Sequence, residues 1–300
     1  MTSDARTTSF TSPADGLALR AHRWDDLPGP ARGVVQIAHG LAEHAQRYAR
    51  LAAALNAAGF LVAANDHRGH GSSVDADVPL GGFGAAGAAG LFADVARHGE
   101  LLREEFPGLP LFLIAHSMGS MAAQNVLLEH PQLYSGVVLS GSTALDGFTD
   151  IVLHLPADQP GLAAFNAGFP HRTGFEWLSR DEAEVDAYVA DPLCGFPTED
   201  AIMAGILATG PATADPAPLG AANPDLPLLV VSGDADPVGG PAGHLVERLA
   251  ERYRAAGLTD VTLQLYPQAR HEVFNETNRD EITGFVTGWL VERTAPVPEQ

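Results

Sequence analysis

Short, continuous apolar runs recur through this chain, each entering a glycine-rich or polar bend and most separated by helix-period stretches. No other feature limits its fold so tightly. Val34 to Ala38, Leu61 to Asn65, Leu111 to Ala115 and Val137 to Leu139 are such runs. Between them lie Arg47 to Ala58, where Tyr48, Leu51, Ala52 and Leu55 share one helical face, and Leu91 to Glu105. The rhythm resumes late, with a strand at Leu228 to Val231, a helix at Gly243 to Ala256, a strand at Val261 to Tyr266 and a closing helix at Ile282 to Leu290. A strand that is apolar on both faces must be covered on both, and alternation with helices supplies that cover through parallel crossovers. The expectation is therefore an α/β fold with a mostly parallel central sheet flanked by helices. The alternating segment Leu17 to Trp24 adds a half-buried strand near an edge, and Asp26 to Pro30 reads as a turn after it.

Residues 143–222 break the rhythm. They carry Pro156, Pro160, Pro170, Pro192, Pro197, Pro211, Pro216 and Pro218, short helical pieces such as Asp181 to Ala190, and no evident strand. A structureless loop of this length is uncommon in a compact domain. The segment reads as a mainly helical cap inserted between two sheet strands, with 1–142 and 223–300 forming the core. Leu145, Phe148, Ile151, Val152, Leu153 and Leu155 are candidates to line an acyl pocket or to pack the cap onto the body.

Charge narrows the functions open to the chain. It has 17 basic and 37 acidic side chains, a formal net charge of -20. So acidic a surface repels phosphate backbones and anionic membranes, and no local Lys/Arg cluster reverses that, so no nucleic-acid partner is expected. Cys194 is the only cysteine, which excludes an intrachain disulfide and a Cys-rich zinc site and leaves a buried spectator as the preferred reading. The N-terminus has no apolar run behind a basic stretch, and no run is long enough to cross a bilayer. The expected setting is cytoplasmic, without integral membrane association.

The strongest local signal is Leu111-Phe112-Leu113-Ile114-Ala115-His116-Ser117-Met118-Gly119-Ser120-Met121. A buried strand runs into a serine, then small residues, then a helix. That is the context of a nucleophile elbow, in which a strained turn lifts the hydroxyl clear of the sheet. Ala115 stands where the G-x-S-x-G pattern has its first glycine, and Gly119 lets the helix approach the strand closely. The N–H of Met118 is a candidate oxyanion donor.

Ahead of this strand, Val34 to Ala38 ends in His39-Gly40-Leu41-Ala42-Glu43-His44. The Leu41 N–H suits the second oxyanion donor, with Gly40 permitting close backbone approach. His39 reads as a brace for this loop. Glu43 and His44 fit neither zincin spacing and read as support or as a solvated helix start. Asp66-His67-Arg68-Gly69-His70-Gly71-Ser72-Ser73 lacks the third glycine of a dinucleotide fingerprint, with Val74 in its place, and offers no closed metal-ligand set. It reads as a compact turn beside the nucleophile.

A serine needs a base, and the base needs an orienting group. Past the strand at Leu228 come Gly233-Asp234-Ala235-Asp236-Pro237, and past the strand at Val261 comes His271. Both loops leave the carboxyl edge of the sheet, where the serine stands. Asp234 and Asp236 both qualify by position. Asp236 lies further out and precedes a proline that fixes the chain, while Asp234 suits a capping or loop-shaping role. His271 is the histidine in the right place to take the Ser117 proton. This chemistry calls for no metal and no organic cofactor.

These motifs together resemble the monoacylglycerol lipase and lysophospholipase branch of the α/β hydrolases, grouped with the so-called serine aminopeptidases. The family's H-G-x-x-E-H corresponds to His39 to His44, its D-x-R-G-H-G-x-S to Asp66 to Ser73, and its G-H-S-M-G to the elbow, apart from Ala115. Its acid motif G-x-x-D falls on Gly233 to Asp236 and favours Asp236 over Asp234, and its base falls on His271. Asp191 to Gly195 also resembles the cap of bacterial members. The resemblance implies a serine carboxylester hydrolase acting on monoacylglycerols, lysophospholipids or short-to-medium acyl esters through Ser117, Asp236 and His271. Two alternatives stand beside it. One is an aminopeptidase or amidase reading a free amine through Glu176, Asp181, Glu182, Glu184 and Asp186. The other is a non-catalytic sensor of a small hydrophobic ligand.

Overall fold

The computed structural model describes residues 5–155 and 161–294, so Pro156 and Pro160 lie outside the described residues. A single eight-stranded sheet forms the centre, in the order β1-β2-β4-β3-β5-β6-β7-β8. Its strands are β1 (Arg6–Thr11), β2 (Ala18–Trp24), β3 (Gly33–Ala38), β4 (Phe60–Asn65), β5 (Leu111–His116), β6 (Gly136–Ser140), β7 (Leu228–Gly233) and β8 (Val261–Tyr266). β1 and β2, and β2 and β4, pair antiparallel, and every other pair is parallel. The expected strands are all present, with bounds that match or differ by a residue or two. β1 is an addition that the sequence reading lacks. Its RTTSFT run has no apolar alternation, and it is largely exposed as an edge strand.

Alternation along β5 shows why the sheet is covered on both faces. Leu111, Leu113 and Ala115 join one apolar cluster with helices α2 (Gly87–Glu105), α3 (Met118–Glu129) and α9 (His244–Ala255). Phe112 and Ile114 join the other, with α1 (Ala49–Ala57) and α10 (Arg279–Glu292). Each of these five β5 side chains is 2% exposed or less. Burying a side chain of the Leu or Phe class stabilises by about 1.5–3 kcal/mol. Only a strand sandwiched between helix layers gains this on both faces.

Between β6 and β7 lie α4 (Leu145–Leu153), α5 (Glu182–Ala190), α6 (Asp200–Leu207), α7 (Gly210–Thr213) and α8 (Ala217–Ala222), with no strand among the described residues of 143–222. Of the six apolar residues singled out there, Leu145 and Phe148 are fully buried in the core cluster and Leu153 faces solvent at 73% exposure. Val152 and Leu155 line a cavity instead. No helix among the described residues is long and apolar enough to cross a membrane.

Candidate active site

The carboxyl edge of the sheet brings the sequence-derived candidates together. β5 pairs with β3 at Ala115 and Ala38, and with β6 at His116 and Ser140. Ser117 follows at φ 50°, ψ −120°, a backbone conformation rare for a residue with a Cβ. Such strain costs of order 1–3 kcal/mol and persists only where the surroundings enforce it. Here the Ser117 N–H donates to the Ser140 carbonyl (2.9 Å), and the Gly119 N–H donates to the His39 carbonyl (3.1 Å). A Cβ on Gly119 would stand 2.3 Å from the Ala38 oxygen, so the turn requires glycine there. Ala115 is fully buried, its methyl accommodated in the apolar cluster.

His271 and Asp236 form a buried pair, Nδ1 to Oδ2 2.9 Å. The other Asp236 oxygen accepts the Val238 N–H at 2.9 Å, which fixes the carboxylate. Asp234 instead accepts the Gln268 N–H and shapes the loop. Burial pulls the His271 pKa down, but the charge and hydrogen bond of Asp236, with Glu272 and Glu43 beyond it, outweigh burial and hold it above the ordinary value. Ser117 and His271 line one cavity of about 20 Å³, together with Gly40, Leu41, Trp177 and Leu178. Asp236 thus holds one ring nitrogen, and the ring borders the same cavity as the Ser117 side chain.

The loop after β3 presents its backbone to this cavity. The Gly40 N–H donates to the Glu43 carboxylate, and the Ala42 N–H donates to His70 Nε2 at 3.1 Å. Between these two committed amides stands Leu41. Met118 opens α3, so its N–H has no carbonyl four residues back within the helix. A Cβ on Gly40 would lie 3.1 Å from Ser117 Cβ, which measures how closely this backbone approaches the hydroxyl.

Around the loop the histidines act as neutral struts. His39 Nδ1 pairs with the Gly40 carbonyl at 2.8 Å, and its Nε2 accepts the His67 N–H at 3.0 Å. Burial, then the neighbouring His70, pushes the His39 pKa down to about 3. His70 is pushed down to about 4, mainly by burial. Asp66 accepts from the Ala45 and Ser72 amides and pairs with His22, while Arg68 is wholly buried against Asp94 and Asp15. These pairings account for the Asp66–Ser73 motif as scaffolding. Glu43 is also buried rather than at a solvated helix start: it accepts from Tyr48 (2.8 Å) and Arg47 (2.7 Å), and Arg47 reaches on to Glu272.

Two features were out of reach of the sequence. Trp177 packs on the His271 ring with centroids 4.7 Å apart, and the Trp177 and Leu178 carbonyls accept the His271 and Glu272 N–H groups. The Arg47 bridge joins Glu43, four residues before it, to Glu272, 225 positions after it. Neither the Trp177 packing nor the Arg47–Glu272 contact carries a local spacing signal. The carboxylates considered for amine recognition are engaged elsewhere. Asp181 pairs with Arg279, Glu184 with Arg50, Asp186 with Arg172, and Glu176 accepts from Thr173 and Asn166. None of these, nor Glu182, lines the serine cavity.

Sheet order, elbow and an acid–histidine pair on the last two strand loops define an α/β hydrolase. The model of the serine aminopeptidase S33 family matches residues 29–278. The chain belongs to this family, in its monoacylglycerol lipase-like branch, and is an ester hydrolase. It is 34% identical to a monoacylglycerol lipase of Mycolicibacterium smegmatis over 296 residues, 97% of this chain and 99% of the relative. Identity to the monoglyceride lipase of Homo sapiens is 29%, over 94% of this chain and 89% of the relative. Among solved structures, a thermostable carboxyl esterase from Bacillus coagulans in complex with glycerol superposes with a TM-score of 0.81 at 26% identity, covering 96% and 98% of the two chains.

Proposed function

We propose that this protein cleaves monoacylglycerols and related short-to-medium acyl esters through an acyl-enzyme on Ser117. The observation that carries the proposal is the buried Asp236–His271 pair opening onto the same cavity as a serine held at positive φ. His271 Nε2 takes the Ser117 proton as Oγ attacks the ester carbonyl, and the Leu41 and Met118 N–H groups receive the oxyanion. The imidazolium, stabilised by Asp236, returns the proton to the departing alcohol. Water then repeats the cycle and releases the carboxylic acid. No hydrogen bond joins Ser117 Oγ to His271 among the described residues, and catalytic contacts of this kind tighten when substrate binds.

Residues 143–222 serve in this reading as the cap that selects the acyl chain. A cavity of about 440 Å³ runs between Leu41, Val152, Leu155, Leu162, Phe165, Met203 and Leu207. Leu41 and Leu162 also border the serine cavity, so the two spaces adjoin at the oxyanion loop. The volume falls in the range of small-molecule sites and its walls are mainly apolar. The named activity of the Mycolicibacterium relative supports the monoacylglycerol assignment, and the glycerol in the Bacillus coagulans complex supports room for a polyol leaving group in this fold.

Ser117→Ala is the test. We expect turnover of p-nitrophenyl butyrate and of a monoacylglycerol to fall by roughly 10⁴-fold or more, with the thermal melt unchanged. A fluorophosphonate should label wild type once and the variant not at all. Retained turnover in the variant overturns the mechanism, and wild type without labelling favours a ligand sensor.

A further inference from the structure

Where the insertion meets the loop after β3, three side chains of differing chemistry converge away from the serine. His44 Nε2, an Asp191 carboxylate oxygen and Cys194 Sγ all lie within 4.8 Å of one another. Asp191 and Cys194 share one turn, in which the Cys194 N–H donates to the Asp191 carbonyl (3.0 Å) and the Leu193 N–H to Asp191 Oδ1 (2.8 Å). His44 arrives from the other side and hydrogen-bonds Asp191 Oδ2 at 2.9 Å. The sulfur is buried, while His44 and Asp191 keep 12% and 31% of their side-chain surface, so the donors have a route from solvent.

We propose that His44, Asp191 and Cys194 bind one borderline-soft divalent cation, zinc foremost, leaving a fourth position for water. An imidazole nitrogen, a carboxylate oxygen and a thiolate are a mixed donor set that zinc accepts and that harder cations such as magnesium do not. On binding, the metal–sulfur bond replaces the S–H bond and the proton leaves to solvent. Asp191 Oδ2 exchanges its imidazole partner for the metal, and the proton that His44 Nε2 had donated to it passes to solvent while solvent supplies one to Nδ1, so that the ring stays neutral and offers its Nε2 lone pair. The local charge favours the exchange. Besides Asp191, Glu43 and Glu272 lie near the thiol, and Arg47 opposes them.

The position gives the cation a consequence. Beside the cluster, the Gly195 N–H (2.9 Å) and the Tyr188 hydroxyl (2.9 Å) both donate to the Ala42 carbonyl, next to Leu41. The His44–Asp191 hydrogen bond is a third tie between the insertion and this loop, and a bound cation replaces it with a metal bridge.

Because Cys194 is the sole cysteine, a thiolate–cobalt charge-transfer band in the full-length protein reports on this site alone. Titration with Co²⁺ should give a near-ultraviolet band that saturates at one equivalent and is displaced by Zn²⁺. Zn²⁺ should also raise the melting temperature of wild type. Both effects should vanish in Cys194→Ser, and the half-saturating concentration should rise by roughly tenfold or more in His44→Gln and in Asp191→Asn. Absence of the band in wild type overturns the proposal. So does a band whose half-saturation is unchanged in both His44→Gln and Asp191→Asn, which would mark a lone thiol. Should Cys194→Ser fail to fold, these two variants, checked by circular dichroism, still decide the question.

Discussion

The two walls of the serine cavity are built on opposite principles. On the side of the loops after β3 and β4, polar groups are buried and paired: neutral histidines brace backbone, Asp66 gathers amides, and Arg68 is locked between carboxylates. On the insertion side stand Leu162, Trp177 and Leu178, with Tyr188 the one member that hydrogen-bonds across, to the Ala42 carbonyl. Non-glycine residues at positive φ are Ala42, Ser117, Ala242 and Gln268, and none lies in the described part of 143–222. A buried polar network tolerates few alternatives, because each broken member leaves an unsatisfied group, whereas apolar contacts repack at smaller cost. In the proposed reaction, oxyanion geometry belongs to the first wall and accommodation of acyl chains to the second.

The largest loss comes from the acid–histidine pair, which stands on the loops after β7 and β8 and completes the site that the two walls enclose. Asp236→Asn should lower kcat by about 10⁴-fold, since the amide no longer stabilises the imidazolium or selects its tautomer. The wild-type kcat/KM should rise with pH around a midpoint above the usual histidine value of 6.5, and the midpoint should move down in the variant as the raising charge is lost. A variant within tenfold of wild type would break the comparison at its root.

Gly40→Ala comes next. The new Cβ would sit 2.8 Å from Glu43 Oε1 and 3.1 Å from Ser117 Cβ, so the loop must shift and carry the Leu41 N–H with it. Loss of one oxyanion donor costs roughly 10²–10³ in kcat, and KM should change little. A rise in KM at constant kcat would instead place Leu41 in ground-state binding.

The buried histidines make the same wall acid-sensitive. His39 and His98 are held down at about 3, and His70 and His116 at about 4, chiefly by burial. The unfolded chain therefore binds more protons than the folded one below pH 6.5. Stability is complete above that pH and drains as pH falls towards the folded values, by about 1.4 kcal/mol per unit for each such group. His271 acts in the opposite sense: its raised pKa contributes stability below the unfolded value that is lost as pH rises through the folded one. His67 is held well below its ordinary value by burial as well, and one such group does not offset five. Urea unfolding at about pH 5.5 should give a free energy several kcal/mol below that at about pH 7.5. Equal values would show that the struts take up protons without strain.

What could be read from the chain divides along the same line. The inner parallel strands are largely apolar on both faces and β8 alternates as VTLQLY, so period and end are written locally, and Ser117, Asp236 and His271 could be sought at strand ends. Asp234 and Asp236 could not be separated by spacing alone; the Asp236–His271 hydrogen bond distinguishes them in space. β1 was illegible because its RTTSFT run stays exposed and its order comes from pairing with β2, not from burial. In the insertion, helices were foreseeable but their facing was not. Phe148 and Val152 share α4 and look alike in sequence, yet Phe148 is buried in the core cluster and Val152 borders the cavity. Trp177 reaches His271 through contacts 94 positions apart, which no local pattern encodes.

The smallest expected effect tests the apolar wall itself. Met203 is half-buried on α6 and lines the larger cavity but not the serine cavity. Met203→Trp should fill part of that space without moving the reacting groups. Each methylene is worth about 1–3 kcal/mol in such a pocket. Long-chain p-nitrophenyl esters should therefore lose roughly tenfold or more in kcat/KM, while the butyrate should stay within about twofold. A uniform loss across chain lengths would mean that the cavity supports the serine site rather than holding the acyl tail. The two walls would then be one structure, and the division between reaction geometry and accommodation would fail at its least polar point.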